Sequence, residues 1–88
     1  YLNRVKLIIE QNKEYPFVAR KMKLVGVNEI SLHISKDGSY QFKINKSSNS
    51  KILDEASKTI FSKISKFQPL PLGMTNLEID VPIEYELD

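Results

Sequence analysis

The sequence predicts an α+β domain: a three-stranded antiparallel sheet with helices packed on one face, in the order helix, short helix, strand, strand, helix, strand. Three observations carry that prediction. Leu77, Ile79, Val81, Ile83, Tyr85 and Leu87 alternate without a miss against Glu78, Asp80, Pro82, Glu84 and Glu86. This is the period-2 signature of a strand with one face on a core and one in water. Ile30, Leu32 and Ile34 alternate likewise and run through Lys36-Asp37-Gly38-Ser39 into Tyr40, Phe42 and Ile44, an Asp-Gly hairpin. Between hairpin and last strand, Leu53, Ala56, Ile60, Ile64 and Phe67 recur at helical spacing.

The elements follow in order. Leu2, Val5, Ile8 and Ile9 form the apolar stripe of a leading helix that runs to about Asn12. Pro16 closes that segment, because the residue before a proline avoids helical geometry. It can equally open a short helix from Phe17 to about Met22 with Ala19 and Met22 turned inward. Ser47-Ser48-Asn49-Ser50 is a polar loop able to cap the long helix, and Asp54 and Glu55 follow where the helix dipole favours acids. Lys51, Lys58, Ser62 and Lys66 fall on the wet side of that helix, and Pro69 and Pro71 stop it. Asn28 stands at an inward parity of the first strand, where a polar side chain predicts a looser start. Pro82 cannot donate to a ladder, so the last strand must be an edge. Its place is outside one of the two hairpin strands.

Composition narrows the function. The 88 residues make one small domain with ordinary apolar (41%) and charged (27%) content and no cysteine, so the core must hold the fold unaided. No apolar run approaches the ~20 residues needed to span a bilayer. A chain opening at Tyr1 is expected to be a piece of a longer protein. Residues 1–76 carry all 13 basic residues against six acids; residues 77–88 carry five acids and no base. An acidic strand on a basic body favours a partner segment of compensating or mixed charge.

Catalytic chemistry finds no support. His33, the single histidine, has outward strand parity. The serines at 47, 48 and 50 have no base placed beside them and read as caps. Glu78, Asp80, Glu84 and Glu86 repeat at i, i+2 on an exposed strand, which gives solvated carboxylates rather than a desolvated acid/base or metal set. The three glycines stand singly, so no phosphate-cradling loop exists. The reading is a non-enzyme with no cofactor and no metal. A nucleic-acid-binding module is the alternative from another class. Its lysines, however, scatter over every element, and Tyr40 and Phe42 share the inward parity of Ile44 rather than forming a stacking platform.

The motif order resembles a known family. Tyr15-Pro16-x-x-Ala19, Gly26, and Asp37-Gly38 with a strand between the glycines are similar to the start of the TonB C-terminal domain. Ser47-Ser48-Asn49 followed by Leu53-Asp54-Glu55-Ala56 resembles that family's segment before the long helix. Phe67-x-Pro69-x-Pro71 resembles its helix stop, and Val81-Pro82-Ile83-x-Tyr85-x-Leu87 its ending. The resemblance covers residues 15–88, with residues 1–14 as a leading helix of the same single domain. Asn49 replaces a frequent glycine and tolerates a left-handed backbone. Asn12 and Val18 replace a glutamine and an arginine found in some members, and Arg20 or Lys21 are the nearest basic residues to stand in for the arginine. A TolA-like envelope-integrity domain has similar architecture, but the Tyr-Pro and Val-Pro-Ile motifs favour the TonB family.

The resemblance implies a periplasmic domain of an energy transducer, anchored in the inner membrane by an N-terminal helix and driven by a proton-driven motor complex there. Its partners would be outer-membrane transporters of iron-siderophores, haem or vitamin B12. It would grip a transporter's N-terminal segment by strand addition. The docking strand is then Ile79, Asp80, Val81, Pro82, Ile83, Glu84 and Tyr85, with Lys13, Glu14, Tyr15, Pro16 and Arg20 at the rim. The expected state is a monomer, with strand-exchanged dimers a hazard at high concentration.

Overall fold

The computed structural model describes residues 1–87; Asp88, the last of the terminal acids, lies outside them. Its elements are α1 (Leu2–Gln11), α2 (Phe17–Lys21), β1 (Gly26–Ser35), β2 (Tyr40–Lys46), α3 (Lys51–Ser62) and β3 (Asn76–Tyr85). The sheet is antiparallel with order β2-β1-β3. The proline-bearing strand thus lies outside β1, as its missing donor requires. Alternation in the sequence becomes alternation in burial. Ile30, Leu32, Ile34, Val81, Ile83 and Tyr85 are buried, while His33, Glu78, Asp80, Pro82 and Glu84 are exposed. The buried face packs on Val5 and Ile9 of α1, Ala19 of α2, and Leu53, Ile60 and Phe61 of α3.

Each helix ends for a local reason. The Asn12 side chain turns back to donate to the Ile8 carbonyl at 2.8 Å, closing α1. Pro16 is the residue before α2, with ψ 138°, rather than its first helical residue. Ser50 caps α3 by accepting from the Leu53 N–H at 3.3 Å. Asn49 before it adopts φ +67°, the left-handed conformation that asparagine tolerates.

Several expectations need correction. Met22 is not inward: it is 60% exposed, because α2 has a single buried contact line through Ala19. Leu2 is 42% exposed at the open end of α1, so only the later part of that stripe reaches the core. α3 stops at Ser62, and Ile64 and Phe67 are buried from the extended segment that follows. Strand pairing ends at Tyr85, two residues short of the alternating pattern. β2 carries an irregularity: Ile30 faces Ile44 but Glu29 faces Lys46, so Asn45 is a bulge residue without a partner on β1.

The extended segment after α3 clamps the hairpin. The Phe67 N–H donates to the Gly38 carbonyl and the Leu70 N–H to the Lys36 carbonyl, both at 2.9 Å. Phe67 fills the space beneath the turn, its ring 4.9 Å from that of Tyr40. The Tyr40 hydroxyl donates toward the Phe61 and Ile64 carbonyls, and Phe42 stacks on Phe61 at 4.4 Å. Tyr40 is committed to α3 and its exit segment. Phe42, expected inward, rests on Phe61 but stays 36% exposed, because it sits where β2 passes the rim of α3 rather than over the core.

Candidate functional site

A three-stranded sheet has two edges, and here they differ. β2 is seven residues long, bulged at Asn45 and decorated with Lys43 and Lys46, all devices that discourage pairing. β3 is ten residues long and pairs with β1 without a break, from Ser35 opposite Asn76 to Gly26 opposite Tyr85. Its far side has no strand. Pro82 faces Glu29. A proline cannot exchange two hydrogen bonds with its opposite residue, so this pair is of the non-bonded kind. Alternation then sends the N–H and C=O groups of Glu78, Asp80 and Glu84, and the carbonyl of Pro82, toward the open edge. Those of Ile79, Val81, Ile83 and Tyr85 turn toward β1. The Glu84 carbonyl fits this assignment, since the Lys13 ammonium reaches it from outside the sheet at 2.7 Å.

The residues before α2 gather where β3 ends. Lys13 pairs with Glu10 at 2.8 Å and sits 5.7 Å from the centre of the Tyr85 ring. Tyr15 meets Tyr85 edge-to-face at 5.5 Å, and the Arg20 guanidinium lies 5.9 Å from the Tyr15 ring. The Tyr15 hydroxyl donates to the Leu24 carbonyl. Lys13, Tyr15 and Arg20 therefore form one cation–aromatic chain at the C-terminal end of the edge. Glu14 and Pro16 do not join it. Glu14 pairs with Lys63 at 2.9 Å, and that hydrogen bond and its charge hold the carboxyl below its usual range. Pro16 serves the start of α2.

Behind Tyr85 lies a polar network that periodicity did not reveal. Asn28 is fully buried yet does not loosen β1. It donates to Asp54 Oδ1 at 2.7 Å and to the Lys46 carbonyl at 3.3 Å, and accepts from Ser57 Oγ at 2.7 Å. With its proton engaged there, Ser57 Oγ accepts from the Tyr85 hydroxyl at 3.0 Å. Burial pushes the Tyr85 phenol above its ordinary value. Asp54 accepts from Ser47 Oγ, Ser48 N–H and Ser48 Oγ as well as from Asn28. No buried side-chain polar atom among the described residues lacks a partner. The signal available in the sequence was two polar residues, Asn28 and Ser57, at core positions on facing elements.

Partial desolvation opposes ionisation of Asp54, but the four hydrogen bonds from Ser47, Asn28 and Ser48 outweigh it and hold the carboxyl far below the usual range. A depressed folded-state pKa contributes stability above the unfolded value of about 3.9 and loses it as pH falls below that point. Urea unfolding at pH 7 and pH 3 should show Asp54→Asn about 2 kcal/mol less stable than the parent at pH 7, with the difference shrinking at pH 3. An unchanged difference would mean that the charge is not what the serines hold.

Comparisons with known proteins give the family and the fold. Residues 11–87 match the family model for the Gram-negative bacterial TonB protein C-terminal region. The chain is 35% identical over 88 residues to Protein TonB of Pasteurella multocida (strain Pm70), a match covering 99% of this chain and 34% of that protein. It thus spans about a third of that relative's length. The NMR solution structure of the Helicobacter pylori TonB C-terminal domain, residues 179–285, superposes with a TM-score of 0.84 at 26% identity, covering 100% of this chain and 81% of that one. The shorter H. pylori domain, residues 194–285, gives 0.71 at 29% identity, with 97% and 91% covered. With its motifs in family order and its helices and strands in the family's arrangement, the chain belongs to the TonB C-terminal domain family.

Proposed function

We propose that this domain takes the N-terminal segment of an outer-membrane transporter as a fourth strand along the open side of β3. In this reading it is the periplasmic end of an energy transducer. Force drawn from the proton gradient at the inner membrane reaches transporters of iron-siderophores, haem or vitamin B12 through it. No helix of the described residues is long and apolar enough to cross a membrane. The observation that supports the reading is the asymmetry of the sheet's edges. β2 is short, bulged and lysine-bearing, whereas β3 is ten residues long, pairs with β1 without a break, and leaves its other side open except at the missing Pro82 donor and the Glu84 carbonyl that Lys13 occupies.

Strand addition uses main-chain groups for affinity, so it depends little on partner sequence and suits a domain that serves several transporters. Four to six backbone hydrogen bonds at a net ~0.5–1.5 kcal/mol each, less the ordering of the incoming segment, correspond to roughly micromolar binding. The acidic side chains of β3 line the sheet's wet face beside the incoming strand and favour a segment of compensating or mixed charge. Isotope-labelled domain titrated with a synthetic peptide of a transporter's N-terminal segment should show its largest amide shifts along residues 77–85. Shifts confined to other surfaces overturn the proposal.

A further inference from the structure

We propose that Lys13 is a displaceable cap on the docking edge, competing with the incoming backbone for the Glu84 carbonyl. This rests on the strand-addition reading and deepens it. By parity, the Glu84 carbonyl is the last outward acceptor that β3 offers within the strand, and in the free domain it is already taken by the Lys13 ammonium at 2.7 Å. The contact is built rather than incidental. The Lys13 side chain is only 21% exposed, against 54% for Lys58 in the comparable i, i+3 pair with Glu55. Its ammonium lies over the Tyr85 ring, and the Tyr85 hydroxyl is fixed through Ser57.

Displacement is cheap enough to be useful. Glu10 already holds the ammonium at 2.8 Å with its own side chain 64% exposed, so Lys13 keeps a counter-ion when it leaves the carbonyl. A cap of this kind has two consequences. The free edge is shortened by one acceptor, which discourages pairing with a second copy. A partner running past Glu84 must exchange one of its N–H groups for the lysine, so binding is weaker than the bare edge would allow.

The test compares Lys13→Met, which keeps the aliphatic stem beside Tyr85, with Lys13→Arg, which keeps a cationic donor. The probe is the same transporter-derived peptide, and each free domain is also followed by sedimentation across a concentration series. Lys13→Met should bind the peptide about threefold to tenfold more tightly, the worth of one recovered backbone hydrogen bond, while Lys13→Arg stays near the parent. In the parent domain the Glu84 carbonyl resonance should move as peptide is added, a readout that needs no variant to fold. If the parent binds and Lys13→Met binds with equal affinity, the cap is wrong while strand addition stands. If the parent binds no peptide at all, strand addition fails and sedimentation decides the cap. Greater self-association of Lys13→Met supports it, and sedimentation equal to the parent overturns it.

Discussion

Gly38→Ala is expected to cost about 3–5 kcal/mol of stability, enough to leave a domain of this size unfolded at moderate temperature. Two separate effects add at this residue. Gly38 has φ +93°, where a side chain is strained whatever its surroundings. A Cβ built there would also stand 2.0 Å from the Phe67 carbonyl oxygen and 3.0 Å from that of Gln68. Both are backbone atoms and cannot swing aside. Relief requires moving the exit segment of α3, which breaks the Phe67-to-Gly38 hydrogen bond and lifts Phe67 from beneath the hairpin. Gly73 supplies the control, since it has the same φ of +93° but nothing within 4 Å of the added Cβ. Gly73→Ala therefore isolates the backbone term, about 1 kcal/mol. Thermal unfolding should place Gly38→Ala at least about 15 °C below the parent and Gly73→Ala only a few degrees below it. Equal shifts for the two variants would show that the clamp between Phe67 and the hairpin contributes nothing.

Period-2 alternation is read directly from residue order, so the strands and the outer position of β3 were legible from Ile30, Ile34, Val81 and Pro82 alone. Helical faces were less legible at their ends. Met22 and Leu2 have the right spacing, but whether a helix end reaches the core depends on where its axis crosses the sheet, which local pattern does not specify. That β3 is an open edge could be named from the proline and the alternation. What sits against it could not. The Lys13 ammonium and the Glu84 carbonyl are 71 residues apart in sequence, and the Asn28–Ser57–Tyr85 chain joins three elements. Both are consequences of packing. Asn28 shows the difference most clearly: as an isolated symbol it predicts a weak strand, and with Ser57 and Asp54 around it, it is a satisfied junction.

That junction also bears on how load applied along β3 would leave it. Tyr85 closes β3 and is held by β1 at Gly26, by Tyr15 through its ring and by Ser57 through its hydroxyl. From Ser57 the contacts continue to Asn28, on to Asp54 at the start of α3, and so to the serine loop that caps the helix. A pull on an added strand would therefore be spread over β1, α3 and the α1–α2 segment instead of peeling β3 from one neighbour.

Asp80→Pro is expected to abolish most peptide binding while leaving the fold intact, and Val81→Pro to do the reverse damage. The two residues are adjacent, yet their backbone N–H groups point to opposite sides of β3. Asp80 faces Ser31 in the same kind of pair as Pro82 with Glu29, so its N–H lies on the open edge and a proline there breaks no ladder bond. The fold loses only the exposed hydrogen bond from Ser31 Oγ to the Asp80 carboxylate, at 2.9 Å. An incoming strand, however, loses a donor, meets the proline ring in its path and is left with an unpaired carbonyl. That combination is worth about 1–3 kcal/mol, or roughly 10–100-fold in affinity. Val81 is different: its N–H turns to β1 opposite Ile30, and its side chain is buried in the core. Proline there removes a central ladder bond and should unfold the domain. Circular dichroism with thermal melting separates the two outcomes, and titration with the transporter peptide completes the test. An Asp80→Pro domain that melts like the parent and still binds the peptide at full affinity would place the docking surface elsewhere than the open edge of β3.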